Sequence, residues 1–181
     1  MAVTLAFAIA AGWGFAEATL FFLVPDIWLG IIGRNNLRRG LYCCCFALGG
    51  AIIGGVLMYF WGAYSMDSVV TVVNKVPAIN EKLLENARLS LASEGWFALF
   101  LGPLQGVPYK ALAAQAHAAG ISPLLFFLVS IPARMIRFVL VTILVHYLSR
   151  AVVSTGVIKD SLPGICIGWV IFYYFYFRAF L

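Results

Sequence analysis

Apolar residues fall into five long blocks, and the first and third of these carry breaks in their interior. The first runs from about Val3 to Gly33, longer than the ~20 residues that one membrane span requires. Gly12 and Gly14 interrupt it, Glu17 lies within it, and Val24-Pro25-Asp26 breaks it again, since proline disfavours helical geometry in the residue before it. The pattern predicts helix, turn, short helix. The polar hinge Arg34 to Gly40, with Arg34, Arg38 and Arg39, reads as a loop on the cytoplasmic side. Leu41 to Tyr64 is an uncharged apolar run and the cleanest span, and its Gly50 and Gly54 form a GxxxG pair that allows close helix approach.

Ser65 to Glu94 is the substantial polar segment. Within Pro77 to Glu94, the residues Ile79, Leu83, Leu84, Ala87 and Leu91 recur with helical period between charges, a pattern suited to the membrane surface. The third block, Gly95 to Gly120, is broken in its middle by Gly102, Pro103, Gly106 and Pro108, with Lys110 just beyond. Non-helical backbone at membrane depth survives where protein buries it or where it lines a wet cavity, so this segment implies a cavity or a bundle around it. Ile121 to Tyr147 reads as a second long span, Arg150 to Ser161 as a short loop, and Leu162 to Leu181 as a last span. The aromatic cluster of that span, from Tyr173 to Phe180, suits an interface belt, with Arg178 snorkelling to the surface.

Composition supports the membrane reading. Of 181 residues, 64% are hydrophobic and 10% charged, with a mean hydropathy of +1.00, outside the balance of soluble domains. A net charge of +5 without a long basic run excludes a nucleic-acid partner and points to loop asymmetry. Arg34, Arg38, Arg39, Arg150 and Lys159 would share the cytoplasmic side, while Lys75, Lys82, Arg88 and Arg178 would face the other, diluted by acids. Cys43, Cys44, Cys45 and Cys166 lack metal-ligand spacing and read as apolar packing, with redox or acylation chemistry as the alternative. The apolar start lacks a basic n-region and so reads as part of the membrane domain rather than as a leader.

Laid over one another with a displacement of 83 residues, the first and third blocks align Gly12-Trp13 with Gly95-Trp96, Val24-Pro25 with Val107-Pro108, and Leu29 with Leu112. Each is followed by a long helix, as in transporters built from inverted repeats with discontinuous helices. The expected architecture is therefore an all-α integral membrane protein. It has two broken, re-entrant helical segments in an inverted repeat, plus about three transmembrane helices. It is one membrane domain over residues 1–181, with a first half at 1–64, a polar segment at 65–94, a second half at 95–149 and a last helix at 162–181.

Chemistry must come from the ionisable residues in the apolar blocks: Glu17, Asp26, Lys110, His117, Arg134, Arg137 and His146. Each charge at the bilayer centre costs roughly 2.5 to 3.5 kcal/mol on insertion scales. Glu17 and Asp26 are either proton or cation sites or partners of buried arginines. Arg134 and Arg137, three residues apart, share one helical face after Pro132; they could hold a phosphate or carboxylate bidentately, or simply neutralise the two acids. Lys110 could meet the same anion as a point charge. His117 and His146 read as helix-interface residues, with proton relay as the alternative. No HExxH or GxSxG motif and no paired-carboxylate metal motif occurs, and Ser149 near His146 lacks a third partner, so an enzyme, a metal and a cofactor are not expected.

Glu17 with Val24-Pro25-Asp26, the stretch Gly102-Pro103-Leu104-Gln105-Gly106-Val107-Pro108-Tyr109-Lys110, and the small-residue run Ala118-Ala119-Gly120-Ile121-Ser122 together resemble the DedA or VTT-domain membrane proteins, also called SNARE-associated Golgi proteins. The resemblance covers roughly Gly12 to Leu148 and is to a divergent or minimal member. The two arginines of the family's second motif are missing, and Lys110 is the one base in that stretch. The resemblance implies a lipid transporter, a flippase or scramblase for a phosphate-headed lipid such as a polyprenyl phosphate or a phospholipid, with a proton-driven cycle and a place in the bacterial inner membrane. Membrane lipids are the expected partners, and the residues neither require nor exclude a homo-oligomer. A non-transporting membrane scaffold and a transporter of small anions are the competing readings.

Overall fold

The structure is a computed structural model that describes residues 3–77, 79–154 and 160–180. Among the described residues the chain is all-helical, with no strand. In order come α1 (Val3–Thr19), α2 (Asp26–Asn35), α3 (Leu37–Tyr64), α4 (Met66–Val73), α5 (Glu81–Glu94), α6 (Phe97–Leu101) running into a 3₁₀ turn (Gly102–Leu104), α7 (Tyr109–Gln115), α8 (Pro123–Ser154) and α9 (Leu162–Phe180). Two of these, α3 and α8, are long and apolar enough to cross a membrane. Large apolar residues project from them uncovered, such as Ile53 at 66% exposure and Leu124 at 67%.

The most extensive packing is between α1 and α3, and small residues make it possible. A Cβ added at Gly50 would lie 1.9 Å from the Ala11 carbonyl oxygen, and one at Gly14 would lie 2.1 Å from the Ala47 oxygen. The GxxxG pair thus serves close packing within the chain, with Gly54 set against Phe15 and Ala18. Gly12 and Gly14 do not interrupt α1, contrary to the sequence expectation, and of the two Gly14 serves that close packing. A glycine inside a helix costs about 1 kcal/mol relative to alanine, which the close approach at Gly14 offsets.

The first break begins earlier than the proline indicates. α1 ends at Thr19, whose hydroxyl donates back to the Phe15 and Ala16 carbonyls, both at 3.0 Å. Pro25 then stands immediately before α2 rather than at the end of α1. The expected Arg34 to Gly40 loop shrinks to Asn36, which is extended and accepts a hydrogen bond from Arg39 N at 2.9 Å. An N-cap of this kind is worth about 1 kcal/mol, enough to start α3 with Arg38 and Arg39 in its first turn.

The apolar stripe of α5 is buried inside the protein rather than presented to a membrane surface: Leu83, Leu84, Ala87 and Leu91 are covered, and Gln115 Nε2 of α7 donates to the Leu84 carbonyl at 3.0 Å. α8 continues through Pro132 and on to Ser154, so it takes in the first part of the predicted 150–161 loop. Lys159, assigned above to the cytoplasmic side, lies outside the described residues. The aromatic cluster of α9 is only partly a peripheral belt, because Tyr173 and Phe177 pack edge-on against Phe22 in the first break.

Element order recurs in the two halves. α2 starts at Asp26 directly after Pro25, and α7 starts at Tyr109 directly after Pro108. Each short helix leads into a long one, α3 or α8.

Candidate functional site

Where α1 ends, residues 20–25 leave backbone groups without helical partners, and buried polar groups of that kind must find others. Their partners come from three elements. Lys110 Nζ donates to the Phe21 carbonyl at 2.6 Å, Trp13 Nε1 donates to the Leu23 carbonyl at 3.0 Å, and Val24 N donates to the Tyr173 hydroxyl at 2.8 Å. The second break is closed mostly by its own backbone: Val107 N donates to Gly102 O at 2.9 Å, with Gly106 at a φ of 89° that a side chain would resist. Lys110, carried by the second break, therefore completes the first.

The two arginines of α8 reach across to the first half. Arg134 is buried to 1% exposure and pairs with Glu17 of α1 through both guanidinium nitrogens. Its guanidinium also sits 4.5 Å from the centre of the Tyr109 ring and 5.1 Å from that of Phe138. Tyr109 is held in turn by its hydroxyl, which donates to Ser130 Oγ at 2.9 Å. One turn along α8, Arg137 pairs with Asp26 at 3.1 Å. This second pair is less closed: Asp26 Oδ1, Arg137 Nε and Arg137 Nη2 have no hydrogen-bond partner among the described residues, against Arg134 Nε alone in the first pair.

Glu17, Asp26, Lys110 and Arg137 line one cavity of about 970 Å³, bounded by the two breaks, α2, α8 and α9. Arg134 is not among its lining residues; it stands behind Glu17. From the ionic end the cavity continues between α8 and α9 over Val141, Leu144, Val145, Leu148, Ile165 and Phe172. The result is a slot, charged at one end and apolar along its length.

The structure thus brings together the two acids and three bases singled out in the sequence, and divides them into a closed pair and an accessible cluster. The break residues Gly106, Pro103 and Pro108 line the same cavity, and Pro25 and Gly102 flank it. The histidines lie elsewhere. His146 is buried where α8 meets α2, with Nδ1 2.8 Å from the Gly33 carbonyl oxygen. His117 is exposed, with Nδ1 3.2 Å from the Tyr59 hydroxyl. Cys43 and Cys44 are buried in packing, with Cys44 Sγ 3.3 Å from Thr142 Oγ1, while Cys45 and Cys166 are exposed.

Two side chains that tie the site together, Tyr109 and Tyr173, were not among the site residues singled out in the sequence. Tyr109 could have been found, since it stands between Pro108 and Lys110 in the second break. Tyr173 could not, because its role depends on where α9 docks. At the cavity's far end, α9 is tied down by Arg34 of α2, which pairs with Asp160. Asp160 also accepts from Leu162 N at 3.1 Å, and that bond, followed by the one from Arg34, holds its carboxyl below the ordinary value of 3.8.

No protein-family model, no curated protein and no solved structure matches this chain.

Proposed function

We propose that the chain is a multi-pass membrane protein that moves a phosphate-headed lipid across the bilayer, with the two broken segments re-entering from opposite sides and meeting at the ionic end of the cavity. The observation that carries this reading is the shape and chemistry of the slot: a charged floor joined to an apolar groove fits an amphiphile, headgroup on the floor and chain along α8 and α9. A small inorganic anion would leave the groove without a purpose. A scaffold would leave a buried, partly unpaired charge cluster without one.

In this reading Arg137 is the headgroup contact, because its guanidinium lines the cavity and keeps a nitrogen without a hydrogen-bond partner among the described residues. Lys110 adds a point charge beside it. An arriving phosphate competes with Asp26 for Arg137, and a proton on Asp26 would release the arginine, which ties headgroup binding to proton uptake. Arg134 acts as a positioning residue: it holds Glu17 and Tyr109, and through Tyr109 the start of α7 and Lys110. A desolvated phosphate needs such compensation, since an unpaired ion costs on the order of 20 kcal/mol in the idealised limit.

The test is headgroup accessibility in proteoliposomes. Purified protein should expose inner-leaflet fluorescent phosphate-headed lipid to an external quencher faster than empty liposomes do. Arg137→Lys should slow that exposure although charge is kept, because an ammonium cannot form two parallel hydrogen bonds to an oxyanion. Equal rates with and without protein, at several pH values and under an imposed proton gradient, would return the chain to the scaffold reading.

A further inference from the structure

The far end of the slot is polar again. Ser149 of α8 lines the cavity, is 5% exposed, and its hydroxyl has no hydrogen-bond partner among the described residues. Ser161, 8% exposed, lines the cavity beside it at the entrance to α9. Nothing in the packing of two apolar helices calls for a bare hydroxyl there, and a buried polar group without a partner costs about 1 to 3 kcal/mol.

A cation stands at the same level. Gly33 at the end of α2 touches His146, one turn before Ser149, and the next residue, Arg34, pairs with Asp160, the neighbour of Ser161. Arg34 does not itself line the cavity; its Nε is buried without a partner among the described residues, so the guanidinium has unused donor capacity that reaches the slot when it turns from Asp160. Ser149 follows Arg137 by twelve residues on α8, or about 18 Å at 1.5 Å per residue. That is more than half of a hydrocarbon core of ~30 Å, so with Arg137 near mid-depth this end lies toward one membrane face.

We propose that Ser149, Ser161 and Arg34 form a second headgroup station at the mouth of the slot, where the phosphate monoester of a single-tailed or multi-tailed amphiphile binds before it moves to Arg137. The proposal rests on the transport reading above and adds the place of entry to it. Two hydroxyl donors and one guanidinium suit the three oxygens of a terminal phosphate. The Asp160 carboxylate is the group already holding Arg34 and therefore competes with the incoming anion. The apolar wall between the two stations carries the chain while the headgroup changes hands.

A protection assay tests this independently of transport. The exposed cysteines Cys45 and Cys166 are replaced by alanine, the buried Cys43 and Cys44 are kept, and Ser149→Cys is introduced. The purified protein in non-ionic detergent is then modified with a charged thiol reagent in the presence of dodecyl phosphate, dodecanol or inorganic phosphate. Dodecyl phosphate should protect at the lowest concentration. Arg34→Gln should raise that concentration about tenfold, as expected for losing a charge-assisted hydrogen bond, and Arg137→Lys should leave it within about twofold of the parent, a shift below one such bond. Asp160→Asn should lower it about threefold, the scale of an exposed ion pair that no longer competes; a purely structural serine would show no such gain.

Equal protection by dodecanol would overturn the proposal by making the site apolar, and equal protection by inorganic phosphate would overturn its amphiphile part. Protection that depends on Arg137 but not on Arg34 would place the phosphate on the floor alone. If Ser149→Cys does not fold, Ser161→Cys in the same background gives the same readout. Protection at the mouth without any transport in liposomes would sink the transport reading and keep the station, while transport without Arg34-dependent protection would do the reverse.

Discussion

The Glu17–Arg134 pair offers the sharpest test of how the site is built, because both partners are almost fully buried and only one side of the pair reaches the cavity. Replacing Arg134 by methionine keeps the length of the side chain and leaves Glu17 buried without its cation. Removing one partner of a buried pair costs about 3 to 5 kcal/mol, mostly the penalty of the abandoned charge. The lost guanidinium contacts with Tyr109 and Phe138, at 4.5 and 5.1 Å, add about 0.5 to 2 kcal/mol for a desolvated cation over aromatic faces. Arg134→Met should therefore destabilise by roughly 3.5 to 7 kcal/mol on those two contributions. In Glu17→Leu/Arg134→Met no charge is left behind, and replacing both partners with apolar groups is often neutral; only the aromatic contacts remain lost, a deficit of about 0.5 to 2 kcal/mol. Reversible unfolding of purified protein in mixed micelles, followed by helical circular dichroism, measures all four corners of the cycle. The double variant should also keep most headgroup transport, whereas Asp26→Leu/Arg137→Met should fold and transport nothing. A single variant that costs less than about 1 kcal/mol, the scale of an exposed pair, or a double variant as unstable as the sum of the singles, would refute the assignment of this pair to structure.

Other expectations follow from the same contacts. Gly62→Ala would set a Cβ 1.8 Å from the Ala114 carbonyl oxygen, so it should destabilise by about 1 to 3 kcal/mol through overpacking, while Gly12→Ala and Gly49→Ala, which meet nothing within 4 Å, should be neutral or up to about 1 kcal/mol more stable; thermal melts in one detergent compare them. Tyr109→Phe strands Ser130 Oγ, which accepts from the tyrosine at 2.9 Å, and should cost about 1 to 3 kcal/mol with a matching fall in melting temperature. The Arg34–Asp160 contact should be pH-dependent: a carboxyl held below its ordinary value of 3.8 contributes stability that is complete above that value and is lost as pH falls below it. Amide exchange at the start of α9 should accelerate below about pH 4 in the parent, and Asp160→Asn should remove that step.

Much of this was legible in the sequence because helical membrane patterning is local. The prolines marked both breaks but not which side of each they belong to: Val24-Pro25 read as a helix end, whereas Pro25 and Pro108 each immediately precede a helix start, and the 83-residue displacement carries one onto the other. The pairing of acids with arginines was one of two readings the residues allowed, and geometry separates the two pairs by burial. What was not legible depended on tertiary packing. Gly14 looked like a helix break and is a contact surface, because nothing local reveals that Ala47 lies against it. The hinge at Arg34 to Gly40 looked like a loop, but Asn36 supplies an N-cap that lets the helices abut. The stripe on α5 was assigned to a membrane surface, since periodicity shows that a face is apolar without showing what covers it.

The breaks tie the two halves to each other. Ending α1 at Thr19 frees the Phe21 carbonyl and the Val24 amide, and buried groups of this kind need partners from elsewhere in the protein. Lys110 supplies the donor for the first and Tyr173 the acceptor for the second, so the second half and α9 must both be docked before the first break is satisfied. Lysine is suited to that post in a way that arginine is not: its single ammonium fits one carbonyl at 2.6 Å and keeps two donors to direct into the cavity. The same bond that closes the backbone fixes the charge beside Arg137. Satisfying the break and building the ionic floor are therefore one structural event.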